Sequence, residues 1–360
     1  MIKKIKVLLV DDSALVLKIL TTALNLTDDI HVVGTATDPY MARERIKELA
    51  PDVLTLDVEM PRMDGLSFLA NLMRLRPMPV VMISTLTRKG SEVTLNALEL
   101  GAVDFIAKPS ADMQGNLDEF VREVQDKVRS AARARVRPLE GPAGGHAPAS
   151  AAPVRAPKAT VSTAFKHMIA IGASTGGTEA IKAVLMGLPA DCPPIVVTQH
   201  IPPQFSASYA KRLDDTCAMR VVEASHNQPI LAGTVYIAPG DQHLSVHKFN
   251  GDYMCKLSQG ERVNRHRPAV DVLFDSVIAH TDKNTIGVLL TGMGADGARG
   301  LLRMHDHGCY TIVQDEESSV VWGMPGAAAN LGAADEILPL SKIAARLLQL
   351  PKTGRAIRAG

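Results

Sequence analysis

The stretch Val53-Leu54-Thr55-Leu56-Asp57, followed by Glu59-Met60-Pro61 and Asp64-Gly65, is a strand-like run that ends in a carboxylate. A second such run lies upstream, Val7-Leu8-Leu9-Val10, and ends in Asp11-Asp12. A third leads downstream into Phe105-Ile106-Ala107-Lys108-Pro109. Short apolar runs of this kind are the pattern of strands buried on both faces of a parallel sheet. Such a sheet carries its site at the carboxyl ends of its strands. Asp11, Asp12, Asp57 and Lys108 all fall at such ends, so three carboxylates and one lysine are expected to converge. One acid at a strand end is as often a helix cap; the combination carries the reading.

Acids buried together have raised pKa values unless a cation compensates. Mg²⁺ suits that position, because it takes carboxylate oxygens, a backbone carbonyl and waters. The expected ligands are Asp11, Asp12, Asp57 and the backbone carbonyl of Glu59. Asp57 is then a carboxylate nucleophile for an incoming phosphoryl group. Lys108 would neutralise the product, and Ser84, ending the fourth strand, would hydrogen-bond its oxygens. Phe105 is expected to rotate inward as the state changes, and Pro109 to lock the turn that aims Lys108. The cluster describes a phosphorylation switch.

Residues 1 to about 128 alternate strand and helix patterns. Strands are expected at Ile5–Val10, Ile30–Ala36, Val53–Leu56, Val80–Ser84 and Asp104–Ile106. Amphipathic helices are expected at Ala14–Leu26, Met41–Leu49, Leu66–Leu75 and Val93–Leu100, with Ser13 and Asp38 as caps and Gly101 as a stop. Five βα repeats predict a doubly wound parallel sheet. At this point residues 1–125 resemble a response-regulator receiver domain.

From about 135 to 162 the hydrophobic period disappears into Pro, Gly, Ala and Ser, mildly basic through Arg133, Arg135, Arg137, Arg155 and Lys158. A solvated, flexible linker is expected there. From His167 the alternation resumes. Strands are expected at Met168–Ile171, Ile195–Thr198, Val235–Ala238, Ile286–Leu290 and Thr311–Val313. Helices are expected at Thr178–Met186, Ala207–Leu213, Val270–His280 and Ala298–His307. Leu244–Lys248, turning at Asn250-Gly251 into Tyr253–Ser258, reads as a β-hairpin. The fold class is α/β with two domains: a (βα)5 unit over 1–128, a linker over 129–163, and a mostly parallel α/β domain with a small antiparallel hairpin over 164–351.

Composition excludes some functions. The net charge of +1 argues against a dedicated nucleic-acid binder, and an aromatic content of 4% against a base-stacking platform. Cys192, Cys217, Cys255 and Cys309 show no C-x-x-C spacing, which disfavours disulfide frameworks and zinc ribbons and fits a reducing cytoplasm. The first residues carry no signal-peptide pattern, and no apolar stretch approaches the roughly 20 residues that span a bilayer.

Two glycine loops compete for the chemistry of the second domain. Gly172-Ala173-Ser174-Thr175-Gly176-Gly177 matches G-x-S-x-G between a strand and a helix, which exposes a serine hydroxyl near backbone N–H groups. A phosphate-cradling or purely structural turn fits this loop about as well. Gly292-Met293-Gly294-Ala295-Asp296-Gly297 matches G-x-G-x-x-G, with Asp315 and Glu316 beyond it. Its late position and its internal acid count against a dinucleotide site, and Asp296 fits better as the carboxylate that orients a histidine base. Among the histidines, His146 lies in the linker, and His226, His243, His247 and His280 have surface-like settings. His305-Asp306-His307-Gly308-Cys309 reads as a helix end. His200 differs: it follows the buried run Ile195–Gln199 and shares a sheet edge with Ser174 and Asp296. The order Ser, His, Asp is not that of the α/β-hydrolases.

Residues 167–350 resemble the catalytic domain of the chemotaxis receptor methylesterases, protein-glutamate methylesterase/glutamine deamidases. The resemblance rests on Ile171–Gly177, Gln199-His200-Ile201, Tyr236–Gly240, Thr291–Gly297 and Gly323-Met324-Pro325-Gly326. It implies that Ser174, His200 and Asp296 are catalytic, and that the backbone N–H groups of Thr175 and Met293 form the oxyanion hole. It further implies γ-glutamyl methyl esters on chemoreceptor cytoplasmic domains as substrate, with methanol released, and glutamine deamidation as a second activity. No cofactor is expected for ester hydrolysis. A chemotaxis histidine kinase is expected as phosphodonor, with the receiver covering the groove until Asp57 is phosphorylated. A cytoplasmic monomer is expected, without nucleic acid or membrane insertion. Arg265-His266-Arg267-Pro268 is a candidate lining of the substrate groove, with a solvated basic loop nearly as good a reading. The competing class is a response regulator whose output domain binds DNA or protein. A DNA reader would carry a basic recognition helix, whereas Val270–His280 and Ala298–His307 are mixed or acidic.

Overall fold

The computed structural model describes residues 4–60, 63–84, 88–108, 117–136, 138, 165, 167–281 and 285–350. Pro109, His146, most of the expected linker and the tail beyond Leu350 lie outside the described residues. The chain divides into two compact units, taken here in turn.

The first unit runs β1 (Ile5–Val10), α1 (Ala14–Asn25), β2 (Ile30–Ala36), α2 (Pro39–Leu49), β3 (Val53–Asp57), α3 (Gly65–Leu75), β4 (Val80–Ser84), α4 (Arg88–Glu99), β5 (Asp104–Ala107) and α5 (Leu117–Ala132). Every residue of β3 and β4 is buried, as near-continuous apolar runs require in a sheet covered on both faces. Helix starts are fixed by side-chain oxygens. Ser13 accepts from Val16 N–H, and Asp38 accepts from Tyr40 and Met41 N–H, with Pro39 at the first helical position. Asp64 caps α3 by accepting from Ser67 N–H at 2.8 Å. Gly101, at φ +97°, follows α4 in the left-handed conformation that only glycine adopts without strain. The sheet order is β2-β1-β3-β4-β5, with parallel pairing throughout. β1 and β3 are therefore neighbours, which brings Asp11 and Asp57 together. α5 continues past residue 128 to Ala132.

The second unit runs β6 (Ile169–Ala173), α6 (Gly177–Met186), β7 (Ile195–Gln199), α7 (Pro203–Thr216), β8 (Arg220–Glu223), β9 (Gln228–Pro229), β10 (Thr234–Ile237), β11 (His243–Phe249), β12 (Asp252–Ser258), α8 (Val270–His280), β13 (Ile286–Leu289), α9 (Ala298–His307), β14 (Tyr310–Gln314), α10 (Met324–Asn330), β15 (Glu336–Leu338) and α11 (Leu340–Gln349). Seven strands form one parallel sheet, β15-β14-β13-β6-β7-β10-β8. β13, β6 and β7 lie side by side at its centre. The expected hairpin is β11–β12, turning at Asn250 and Gly251, both at positive φ as a tight primed turn demands. It gains a third strand, β9, which the sequence did not suggest. Tyr236, Phe205 and Phe274 are the largest fully buried side chains, and all three belong to this unit. Among the described residues no helix is long and apolar enough to cross a membrane.

Candidate active site

Three adjacent strand ends build the site of the second unit. Ser174 follows β6, His200 follows β7, and the loop that begins at Leu290 after β13 carries Asp296. Backbone hydrogen bonds lock these ends together: Ser174 N–H donates to Thr291 O at 3.0 Å, and His200 N–H donates to Ala173 O at 3.1 Å. Ser174, His200 and the loop that carries Asp296 are thus in register before any side-chain contact is made. Gly176, at φ +74°, lets the chain turn sharply from Ser174 into α6. A Cβ there would lie 2.6 Å from the Val320 side chain.

The His200 ring is nine-tenths buried, and its Nε2 lies 2.8 Å from Asp296 Oδ2. Asp296 accepts three further hydrogen bonds: from Val270 N–H at 2.7 Å, from Asp271 N–H at 3.3 Å and from Asn264 Nδ2 at 2.7 Å. The first two come from the N-terminus of α8, whose partial positive charge favours an anion. Burial pushes the Asp296 carboxyl up, but the hydrogen bond and charge of His200, with those of Asn264 and Val270, outweigh it and hold the group at about 2. Asp296 therefore remains a carboxylate. Its bond with Nε2 fixes the ring proton there and leaves the Nδ1 lone pair open. Nδ1 is buried and has no hydrogen-bond partner among the described residues. No hydrogen bond joins the Ser174 hydroxyl to the ring; such contacts often tighten only once substrate is bound.

Gly292 packs directly on the nucleophile: a Cβ on it would lie 2.8 Å from Ser174 Cβ. Met293 is the next residue in this loop. Met293 N–H donates to no described residue. Thr175 is buried, and its carbonyl accepts from Thr291 Oγ1 at 3.0 Å.

Asn264, given no role from sequence, and His266, from the segment read as a candidate groove lining, complete the arrangement. Asn264 touches Asp296 as above, and His266 stacks on His200 with ring centroids 3.7 Å apart and planes 13° from parallel. From the segment Arg265–Pro268, only His266 reaches the triad in this way; Arg267 is engaged by Asp241 at 2.7 Å and by the carbonyl of Gly260 at 2.8 Å. Gln199, quoted for the resemblance without a role of its own, braces the site. Its Nε2 donates to the carbonyls of Ser174 at 3.0 Å and His200 at 3.1 Å. One expectation is corrected: His243 is not surface-like but 3% exposed, because it opens β11 and bonds Glu261 O and Ala269 N–H. His226 is exposed, and His247 and His280 lie against each other at 4.3 Å, away from the triad residues in contact and sequence.

In the first unit, Asp11, Asp12 and Asp57 present carboxylate oxygens within 4.8 Å of one another. Lys108 Nζ lies 3.0 Å from Asp11 Oδ2 and 2.8 Å from Asp57 Oδ2. Burial, with Asp11 alongside, pushes the Asp57 carboxyl up to about 6 despite Lys108 and a backbone N–H bond from Glu59. One ammonium group thus leaves two buried acids undercompensated. That is the electrostatic setting of a divalent cation, and the all-oxygen donor set fits Mg²⁺. Ser84 is buried at the end of β4, and its carbonyl accepts from Lys108 N–H at 2.7 Å. The Phe105 ring is already inside, at 3% exposure, with Lys127 Nζ 5.3 Å from its centroid.

Comparison with known proteins identifies both units of the chain. The model of the CheB methylesterase family matches residues 169–347, and that of the response regulator receiver domain matches residues 7–118. The protein-glutamate methylesterase/protein-glutamine glutaminase of Nitrosomonas europaea is 55% identical over 347 residues, spanning 96% of this chain and 96% of that protein. A protein of the same description from Hahella chejuensis is 57% identical over 347 residues, spanning 95% of each. The crystal structure of the Thermotoga maritima CheB methylesterase catalytic domain superposes with a TM-score of 0.51 at 40% identity, covering 52% of this chain and 100% of that one.

Proposed function

The chain belongs to the CheB methylesterase family, with a response-regulator receiver domain at its N-terminal end, and from that premise we propose how its residues carry the chemistry. It is a phosphorylation-regulated protein-glutamate methylesterase and protein-glutamine deamidase. That sets aside a non-enzymatic output domain. The observation that supports the residue roles is the buried His200–Asp296 bond at the edge where Ser174 emerges.

Ser174 Oγ attacks the γ-carbonyl of the glutamyl methyl ester while His200 Nδ1 takes the hydroxyl proton. Asp296 holds the ring and stabilises the imidazolium that forms. The tetrahedral oxyanion is met by the N–H groups of Thr175 and Met293, each worth about 3 kcal/mol of barrier. Collapse expels methoxide, which takes the proton from His200 and leaves as methanol. Water, deprotonated by His200, then hydrolyses the acyl-serine and restores Ser174. With glutamine, the same steps expel ammonia.

In the receiver, Asp11, Asp12, Asp57 and the Glu59 carbonyl are the residues that would hold Mg²⁺, which supplies charge neutralisation to the transferring phosphoryl group. Asp57 accepts the phosphoryl group, and Lys108 and Ser84 bind it. The substrate lies on the cytoplasmic helices of chemoreceptors, and a histidine kinase of the same system is the phosphodonor, so the protein works in the cytoplasm, as a monomer and without nucleic acid. The test is methanol release from a methylated receptor cytoplasmic fragment. Wild type is expected to release it faster with Mg²⁺ and a small phosphodonor, and Ser174→Ala to release none. A wild type that releases no methanol under either condition overturns the assignment.

A further inference from the structure

The base and its acid are both touched by one four-residue turn that the triad does not include. Val263 N–H donates to His266 O at 3.1 Å, and His266 N–H donates to Val263 O at 2.9 Å. Between them Asn264 and Arg265 stand at φ +52° and +72°. Two consecutive left-handed residues inside such a pair of bonds make a type I′ turn. Asparagine tolerates this conformation, but arginine rarely adopts it, and backbone strain of that kind collects at functional sites.

The side chains explain why the turn is held. Asn264 has two amide hydrogens and uses one on each of two carboxylates: Asp296 Oδ1 and Asp271 Oδ2, both at 2.7 Å. Asp271 in turn accepts from Gly300 N–H in α9 at 2.6 Å. Asn264 therefore ties the catalytic acid to the first turns of two helices. At the other end of the turn, the His266 ring lies flat on His200. A flat wall at van der Waals distance opposes rotation of the His200 ring, which would otherwise carry Nδ1 away from the serine.

We propose that the Val263–His266 turn is the positioning element of the His200–Asp296 pair, with Asn264 as the positioning residue for the acid and His266 for the base. The inference rests on the esterase reading above and deepens it. Each acts through a triad member. Misplacing a base by a fraction of an ångström slows the bond-making step more than it weakens binding.

The experiment is steady-state methanol release by the full chain with phosphodonor, over a range of pH, with wild type and Ser174→Ala alongside. Asn264→Gly keeps the left-handed backbone and removes the amide. It is expected to lower kcat about tenfold or more while KM stays within about twofold. Asn264→Asp keeps the size but sets a carboxylate against Asp296 and Asp271, with His200, His266 and Arg303 as the other charged or titratable groups around them. An added negative charge favours the imidazolium form of His200, so the acid limb of kcat/KM is expected to move to higher pH. His266→Phe, which keeps a flat face, is expected to retain most of the kcat that His266→Ala loses. A role confined to folding would lower the thermal midpoint and leave the acid limb in place. An active wild type with Asn264→Gly within twofold in kcat and an unmoved limb in Asn264→Asp overturns the proposal. A wild type without esterase activity overturns it together with the functional reading.

Discussion

Asp296 accepts four hydrogen bonds in a setting that would otherwise neutralise it. Its low pKa has two measurable consequences. Asp296→Asn keeps the volume but favours the wrong tautomer of His200, so kcat is expected to fall by about three to four orders of magnitude in the methanol assay. The second consequence concerns stability. The folded-state value, about 2, lies below the ordinary carboxyl value of 3.8. The stabilisation is therefore fully present above pH 4 and lost as pH falls through about 2. The difference in denaturation midpoint between wild type and Asp296→Asn is expected to shrink between pH 5 and pH 2. A difference that stayed constant would show that the carboxylate contributes nothing through its charge. Gln199 gives a second prediction at this scale. Gln199→Leu removes one donor from each of the part-buried carbonyls of Ser174 and His200, while Ser174 O keeps the Gly177 N–H, at a cost of about 1 kcal/mol, read as a shift in urea midpoint at unchanged slope. The candidate triad was legible in sequence because Ser174 and His200 directly follow β6 and β7, and Asp296 lies in the glycine-rich loop after β13. Asn264 was not: it reaches Asp296 from 32 residues away, on an isolated turn that no periodicity marks.

The elements that carry the site were legible for a related reason. β6, β7 and β13 are buried at every residue, so their composition is dictated by the sheet rather than by local chance. Their ends were less certain, since strands read as Met168–Ile171 and Ile195–Thr198 are observed as Ile169–Ala173 and Ile195–Gln199. β8, β9, α10, β15 and α11 were not anticipated. β8 begins with arginine and ends with glutamate at the sheet edge, β9 has two residues, and β15 reads Glu-Ile-Leu with none of them fully buried. α10 carries Pro325 and Gly326 within seven residues, a composition that argues against a helix until Gly323 and Met324 N–H are seen bonded to Gly292 O. The turn between β6 and α6 supports a prediction. Gly176→Ala meets both a left-handed backbone and the Val320 side chain, so a loss of about 1–3 kcal/mol is expected, with esterase activity falling along with it. A denaturation midpoint equal to that of wild type would mean that the turn relaxes freely, and that its shape does not set the position of Ser174.

For the whole molecule, the question is how a phosphoryl group on one unit changes the rate in the other. In the receiver cluster two buried carboxylates share one lysine, and burial, with Asp11 alongside, pushes Asp57 up to about 6 despite that lysine. A phosphoryl group on Asp57 would bring further negative charge to this cluster, so Lys108 and any Mg²⁺ that Asp11 and Asp12 would hold would become necessary partners rather than optional ones. Asp57→Asn retains the side-chain volume and removes the nucleophile. Stimulation by phosphodonor and Mg²⁺ is expected to disappear in this variant, while Ser174-dependent release without phosphodonor remains measurable. Stimulation that survives in Asp57→Asn would place the phosphoryl acceptor elsewhere. The covering of the groove expected from sequence is separable from this switch. Removing residues 1–140 should raise the rate above that of the unphosphorylated full chain if the receiver acts as a cover alone. A truncated rate equal to the unphosphorylated one, beside a full chain that phosphodonor stimulates, would mean that the phosphorylated receiver promotes catalysis actively, so that its removal forfeits the activation instead of releasing it.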